Sequence, residues 1–166
     1  MDMTVKTLED LQGMVLGWDR SQSAKVQAVY QRLLACLVVH AHNLRVLHWN
    51  VTGVDFDPVH ELIGDYYSQL SDFIDEVAEM GLQADIPPVG IVEALEVCGN
   101  VLPGDSTYSS EECFKIVGIL FNELLQAYQA ACEMPIHDDI INKLQEHQQW
   151  IRKQLQYKNR QRLQQE

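Results

Sequence analysis

The stretch LHWNVTGVDFDPVHELIGDYYSQLSDFIDEVAE, residues 47–79, decides how this chain folds. It contains the end of one helical pattern, a short turn around Gly53, and most of a second helical pattern. Asp57 is expected to cap the second helix and Pro58 to occupy its first position. Apolar residues recur there at steps of three and four, which predicts one core-facing helical stripe: Val59, Leu62, Ile63, Tyr66, Leu70, Phe73, Ile74 and Val77.

Prolines divide the remainder of the chain into further helical patterns. Ser109 and Glu112 have the spacing of a capping box, so a helix is expected to begin there. Four long helices and no strand pattern predict an all-α four-helix bundle over 21–166, with a short basic C-terminal tail. The helices are predicted over about 21–48, 57–81, 109–134 and 137–163, with a short helix within 89–97 in the long second-to-third link. Residues 1–20 are predicted to form an N-terminal arm or a short helix.

The composition excludes several classes of protein. The 166 residues include 12 Lys and Arg against 24 Asp and Glu, which gives a net charge of −12. This balance argues against a nucleic-acid-binding body and against binding to an anionic membrane. No apolar run approaches the roughly 18 residues of a membrane span, and no secretory signal pattern is visible, so a cytoplasmic protein is expected. The four cysteines lack metal-binding spacing and are interpreted as small buried side chains: Cys36, Cys98, Cys113 and Cys132.

Two histidines and two carboxylates are the candidates for chemistry. His48 ends the first predicted helix and His60 lies in the first turn of the second, so both imidazoles are expected at one end of the bundle. Asp75 and Glu79, spaced i and i+4, share a helix face with His60. The middle of this face carries small residues, namely Gly64, Ser68 and Ser71. Such a face is neither the core nor an ordinary charged surface.

The helical rise separates these ligands within one chain. Fifteen residues place His60 and Asp75 about 22 Å apart, whereas metal–ligand bonds are only about 2.0–2.2 Å long. If two copies of the second helix pack antiparallel across a twofold axis, His60 of one chain comes beside Asp75 and Glu79 of the other. That ligand set suits a redox-active first-row metal, above all iron. The alternative is that His60 is a solvated or capping residue and the carboxylates lie on a solvated face.

The same residues resemble a family signature. HWNVTG at 48–53, then His60-Glu61-Leu62, then Asp75-x-x-x-Glu79 in DEVAE are similar to the motifs of the Dps family, the miniferritins. The resemblance covers roughly residues 40–80, and the predicted bundle agrees with it over most of the chain. It implies a ferritin-like bundle in a hollow dodecamer, with a ferroxidase centre formed by His48 and His60 of one subunit and Asp75 and Glu79 of its partner. Trp49 matches the tryptophan beside that centre.

The resemblance also implies an activity. Fe(II) would be oxidised by hydrogen peroxide or dioxygen and stored as ferric mineral, which protects against oxidative stress. Asp138 and Asp139 resemble the acidic lining of the family's threefold pores, although carboxylates in a first helical turn also complement the helix macrodipole. The family usually has an acid where this chain has Gly64, and Asp65 points about 100° further round the helix. The departure puts the second iron position in question.

Two alternatives remain open at this point. The segment IRKQLQYKNRQRL, residues 151–163, could give each subunit a basic tail that binds DNA with avidity through its five cations, Arg152, Lys153, Lys158, Arg160 and Arg162. A metal-binding structural assembly without redox turnover, holding zinc or another divalent metal at the same four residues, is the other alternative.

Overall fold

Helices form where apolar residues recur with helical spacing. The computed structural model describes residues 23–163; the predicted arm or helix over residues 1–20 lies outside them. Within this range the helices are α1 (Ser23–Asn50), α2 (Phe56–Gln83), α3 (Ile91–Val97), α4 (Ser110–Cys132), α5 (Asp138–Arg152) and α6 (Arg160–Leu163), with a π-helical segment, Lys153–Asn159, joining the last two. The prediction of an all-α four-helix bundle with a short helix in the long link is confirmed.

The core forms around α1, which packs against α2, α3 and α4. Because three elements cover it, α1 buries residues around much of its circumference, among them Leu33, Leu37, Leu44 and Leu47. From α2, the predicted stripe contributes Ile63 and Leu70, both fully buried. No helix among residues 23–163 is both long enough and apolar enough to cross a membrane.

The turn between α1 and α2 differs in detail from the prediction. Gly53 has φ of +129°, a conformation that favours glycine. α2 begins at Phe56 with Asp55 as its N-cap, and the Asp55 side chain makes no capping hydrogen bond within the described chain. The assignment of Asp57 as the cap and Pro58 as the first residue was therefore wrong by two positions. The first three helical N–H groups all lack an intrahelical acceptor, so proline is tolerated at each of them and does not mark the start.

A short pair of strands ties this turn to the start of α4. β1 (Val51–Thr52) pairs in parallel with β2 (Tyr108–Ser109), with Val51 opposite Tyr108. The expectation of no strand was wrong here, because two-residue strands are too short to give an alternating pattern. The predicted capping box is confirmed at Ser109, whose hydroxyl accepts from the Glu112 N–H while Glu112 accepts from the Ser109 N–H.

The basic segment after α5 is helical and packed as far as Leu163. Asn159 is buried and donates to the Phe114 carbonyl at 2.9 Å. Arg162 donates to the Tyr66 hydroxyl at 3.1 Å, and its guanidinium lies 5.2 Å from the centre of the Phe114 ring. These contacts hold residues 153–163 against α2 and α4.

Candidate metal centre

The structure brings His48 and His60 into direct contact. The Nδ1 atom of His48 lies 2.7 Å from the carbonyl oxygen of His60, and the Nδ1 atom of His60 lies 2.8 Å from the carbonyl oxygen of His48. The two rings stack with their centres 3.6 Å apart. The end of α1 and the second turn of α2 are thus joined by a reciprocal pair of side-chain hydrogen bonds, made possible by the tight turn at Gly53.

These hydrogen bonds determine which ring nitrogen is available to a metal. A backbone carbonyl only accepts, so each Nδ1 must carry the proton that it donates. In a neutral imidazole the lone pair then lies on Nε2. Histidines that bind metals commonly donate the other ring N–H to a carbonyl or carboxylate in this way. Both His48 and His60 are therefore held in the tautomer that binds a metal through Nε2.

Aromatic side chains and a glycine fix the two rings further. Phe56 stacks on His60 with ring centres 4.9 Å apart, and Tyr67 meets His48 edge-on at 5.2 Å. A Cβ atom at Gly64 would lie 3.2 Å from Cε1 of His48. The imidazole of His48 thus occupies the space beside the position where the resemblance would place an acid. Asp65 is exposed and makes no part of this cluster.

Asp75 and Glu79 lie on the exposed surface of α2 and do not join the histidines within one chain. Among residues 23–163, one group of three potential metal ligands has its ligating atoms close together. This group contains none of the four predicted site residues. One chain therefore assembles the two imidazoles and presents the two carboxylates separately, further along α2.

The face between the histidines and the carboxylates includes an arginine that sequence analysis missed. The Arg45 guanidinium donates to the Ser71 hydroxyl at 3.1 Å and lies 4.9 Å from the centre of the Tyr67 ring. Ser71 in turn donates to the Tyr67 carbonyl. Arg45 lies three residues before His48 on α1, and this spacing was the signal that it shares a face with the histidine.

The remaining predicted residues are placed on the surface. Trp49 is 60% exposed, and its indole meets the ring of His42 edge-on with the ring centres 6.2 Å apart. Asp138 and Asp139 are exposed in the first turn of α5. This position is compatible with a pore lining and with a favourable macrodipole interaction, so their role as a pore lining stays a prediction.

Sequence analysis also missed a buried polar cluster that includes Cys98. The Cys98 sulfur lies 3.9 Å from Nε2 of His40, and that nitrogen lies 2.9 Å from a carboxylate oxygen of Glu123. Hydrogen bonding with the Cys36 thiol, assisted by His40, lowers the pKa of Cys98, and the same interaction raises the pKa of Cys36. Cys98 is buried in the core as predicted, and its sulfur in addition contacts a polar side chain. The available signal was the i, i+4 spacing of Cys36 and His40 on one helix.

Comparison with known sequences gives the family. The model of the ferritin-like domain family matches residues 28–160. A DNA protection during starvation protein of Porphyromonas gingivalis is 44% identical over 69 residues, which cover 42% of this chain and 43% of that protein. The chain spans between about a third and just over half of the length of the curated relatives that it matches first.

Solved structures show the same fold. Dps from Staphylococcus aureus superposes with a TM-score of 0.77 at 23% identity, covering 87% of this chain and 98% of that one. The Dps protein of Vibrio cholerae O1 superposes with a TM-score of 0.75 at 23% identity, covering 93% and 95%. The chain therefore belongs to the ferritin-like family, and its sequence and fold are similar to those of Dps proteins.

Proposed function

We propose that this protein is a ferroxidase and iron-storage miniferritin that oxidises Fe(II) at sites between subunits and stores ferric mineral in a hollow shell of twelve chains. The observation that carries this proposal is the reciprocal His48–His60 pair, which holds two Nε2 lone pairs available at a partly exposed position. Membership of the ferritin-like family supports iron as the substrate. The Vibrio cholerae protein is itself described as one of the ferritin-like diiron-carboxylate proteins.

A second subunit would complete the ligand set. His60 and Asp75 share one α2 face, about 22 Å apart along the helix, so antiparallel packing of two α2 helices brings the histidines of one chain to the carboxylates of the other. Gly64 has no side chain and Ser68 has a small one, which would allow the two helices to approach closely. Each dimer would then contain two equivalent sites, each with His48 and His60 from one chain and Asp75 and Glu79 from its partner.

The proposed reaction uses these residues as follows. Neutral imidazoles and carboxylates bind Fe(II), and the carboxylates stabilise the additional positive charge of the ferric product. Two Fe(II) ions supply the two electrons that reduce one hydrogen peroxide, with two protons, to two waters. Because Gly64 supplies no carboxylate, we propose that one iron binds firmly and the second binds weakly at each site.

The test is the rate of iron oxidation in the assembled protein. Fe(II) is added anaerobically, peroxide follows, and the absorbance of the ferric product is recorded. We expect His60→Ala and Asp75→Ala each to slow oxidation by about tenfold or more, since each removes a ligand. Glu111→Ala, which removes an exposed carboxylate from α4, should oxidise iron at the wild-type rate. Equal rates in the wild type, His60→Ala and Asp75→Ala would contradict the proposal, and a zinc-loaded structural assembly would then be the better interpretation.

A further inference from the structure

A second set of potential ligands lies between α1, α3 and α4, apart from the His48–His60 pair. His40 is fully buried on α1, Cys98 is buried at the C-terminal end of α3, and Glu123 is partly buried on α4. Among residues 23–163, these three form the one group of potential metal ligands whose ligating atoms all lie within 4.8 Å of one another.

The distances in this group are close to those of a tetrahedral metal site. Nε2 of His40 lies 2.9 Å from Oε2 of Glu123 and 3.9 Å from Sγ of Cys98. Bonds of about 2.1 Å to nitrogen and oxygen and about 2.3 Å to sulfur require separations of about 3.4 Å between nitrogen and oxygen and about 3.6 Å between nitrogen and sulfur. Shifts of a few tenths of an ångström would therefore accommodate an ion.

Cys36 carries the further sulfur beside this group. It lies one helical turn before His40 on α1 and lines the same cavity as Cys98 and Glu123. Two sulfurs, one imidazole and one carboxylate favour zinc and similar thiophilic cations over magnesium or calcium, which prefer oxygen ligands. A cavity of about 350 Å³, lined by Cys36, Cys98, Glu123 and Arg32, provides room for an ion to enter.

Neighbouring amides orient the ligands. Asn100 donates to the second carboxylate oxygen of Glu123 at 3.3 Å. Asn43 donates to the Asn100 carbonyl at 2.7 Å and accepts from the Leu102 N–H, which places its amide 3.5 Å from Nδ1 of His40. That last contact is long for a hydrogen bond, so it constrains the tautomer of His40 only weakly. A metal on Nε2 would require the neutral imidazole to carry its proton on Nδ1, so the proton now shared with Glu123 would move to that nitrogen, and the thiol protons of the ligating cysteines would be released to solvent.

We propose that His40, Cys98 and Glu123, with Cys36 as the fourth ligand, bind one divalent cation of the zinc class in each chain. The site is formed by one chain alone and is independent of the proposed ferroxidase function, which uses residues from two chains.

Cobalt(II) is the probe that separates this site from the histidine–carboxylate one. Titration of the reduced, assembled protein with Co²⁺ should produce a thiolate-to-cobalt charge-transfer band that saturates at one ion per chain and disappears when Zn²⁺ is added. Co²⁺ bound by His48, His60, Asp75 and Glu79 has no sulfur ligand and gives no such band. The His60→Ala variant should therefore keep the band, whatever happens to its iron oxidation.

Variants identify the ligands. Cys98→Ser should lose at least half of the band's intensity, because one of the two proposed thiolates is removed, and Cys132→Ser, which alters a partly buried cysteine outside the group, should keep it in full. Glu123→Gln should keep the band but raise the apparent Kd by about tenfold or more. Absence of the band in the reduced wild type at excess Co²⁺ would overturn the proposal, as would an unchanged band in Cys98→Ser. If Cys98→Ser fails to fold, the wild-type spectrum and the Glu123→Gln titration decide the question.

Discussion

His48 and His60 illustrate how a site is prepared by a few backbone atoms. Each imidazole donates to the backbone carbonyl of the other residue, so loss of either ring removes one proposed ligand and the ring stacking but leaves in place the carbonyl that accepts from the other imidazole. The spacing of the two histidines predicted their proximity. Their tautomer was beyond sequence reasoning, because it depends on which carbonyl each Nδ1 meets in the folded chain.

Gly64 provides a prediction at the scale of one residue. Gly64→Ala would place a methyl group 3.2 Å from Cε1 of His48, so the imidazole must shift by a few tenths of an ångström. We expect weaker Fe(II) binding and slower iron oxidation. The thermal unfolding midpoint should be maintained or raised, because alanine favours a helix over glycine by about 1 kcal/mol. Isothermal titration and a melting curve measure the two effects.

Gly104→Ala is the matched control for this substitution, since a Cβ atom at Gly104 would have no contact within 4 Å and the residue lies outside α1 and α2. It should leave Fe(II) affinity unchanged. Wild-type affinity in Gly64→Ala would show that the close packing of Gly64 against the ring does not position His48.

At the scale of elements, a hydrogen-bond network that is buried at Tyr128 and His147 and partly exposed at Glu76 joins α2, α4 and α5. The Tyr128 hydroxyl donates to Nδ1 of His147 at 2.9 Å, and Nε2 of His147 donates to Glu76 at 2.6 Å. Phe73 stacks on the imidazole with ring centres 3.8 Å apart. Burial lowers the pKa of His147 below its ordinary value of 6.5, and the hydrogen bond from His147 lowers the pKa of Glu76. A neutral His147 satisfies both of its ring nitrogens here.

The hydrogen-bond network of Tyr128, His147 and Glu76 predicts the direction in which pH changes the free energy of unfolding. A histidine whose pKa is lowered by folding contributes full stability above its unfolded pKa, and this contribution is lost as the pH falls below about 6.5. The lowered pKa of Glu76 acts in the same direction at more acidic pH, because its contribution is lost as the carboxylate protonates. The thermal unfolding midpoint should therefore decrease when the pH is lowered from 7.5 to 5.5.

His147→Gln tests this assignment, because glutamine offers a donor and an acceptor but does not titrate in this range. Its midpoint should depend less on pH than that of the wild type. His42→Gln, which alters an exposed histidine, should keep the wild-type dependence. Identical pH dependence in the wild type and His147→Gln would show that His147 is not responsible.

Local patterns predicted elements well and contacts between elements poorly. The Ser109–Glu112 capping box lies within four residues, and its helix begins where expected. The π-helical turn at Lys153–Asn159 was not foreseen, because its apolar spacing is close to that of an α-helix. The His40–Cys98–Glu123 group joins three elements that are far apart in sequence, so no spacing within one helix could reveal more than Cys36 and His40.

At the scale of the whole molecule, the charge of −12 favours cations as ligands. This negative charge does not favour DNA binding. The basic segment that could offset the charge is helical through Leu163. Within it, Arg162 contacts Tyr66 and Phe114. Arg152, Lys153 and Arg160 are the exposed cations of that segment. The DNA-binding alternative therefore depends on a few solvated side chains, whereas the iron proposal depends on a preformed pair of ligands.

The central claim is that each ferroxidase site uses two chains, and mixed subunits test it directly. His60→Ala and Asp75→Ala subunits should each oxidise iron about tenfold or more slowly than the wild type when assembled alone. A dimer of one of each contains one site with both defects and one fully intact site, so random mixing should restore about a quarter of the wild-type sites. The measurement is the rate of iron oxidation by peroxide in co-expressed, co-purified shells. Recovery near this level is the predicted result, and shells that contain both subunits but oxidise iron as slowly as the parent variants would contradict the account.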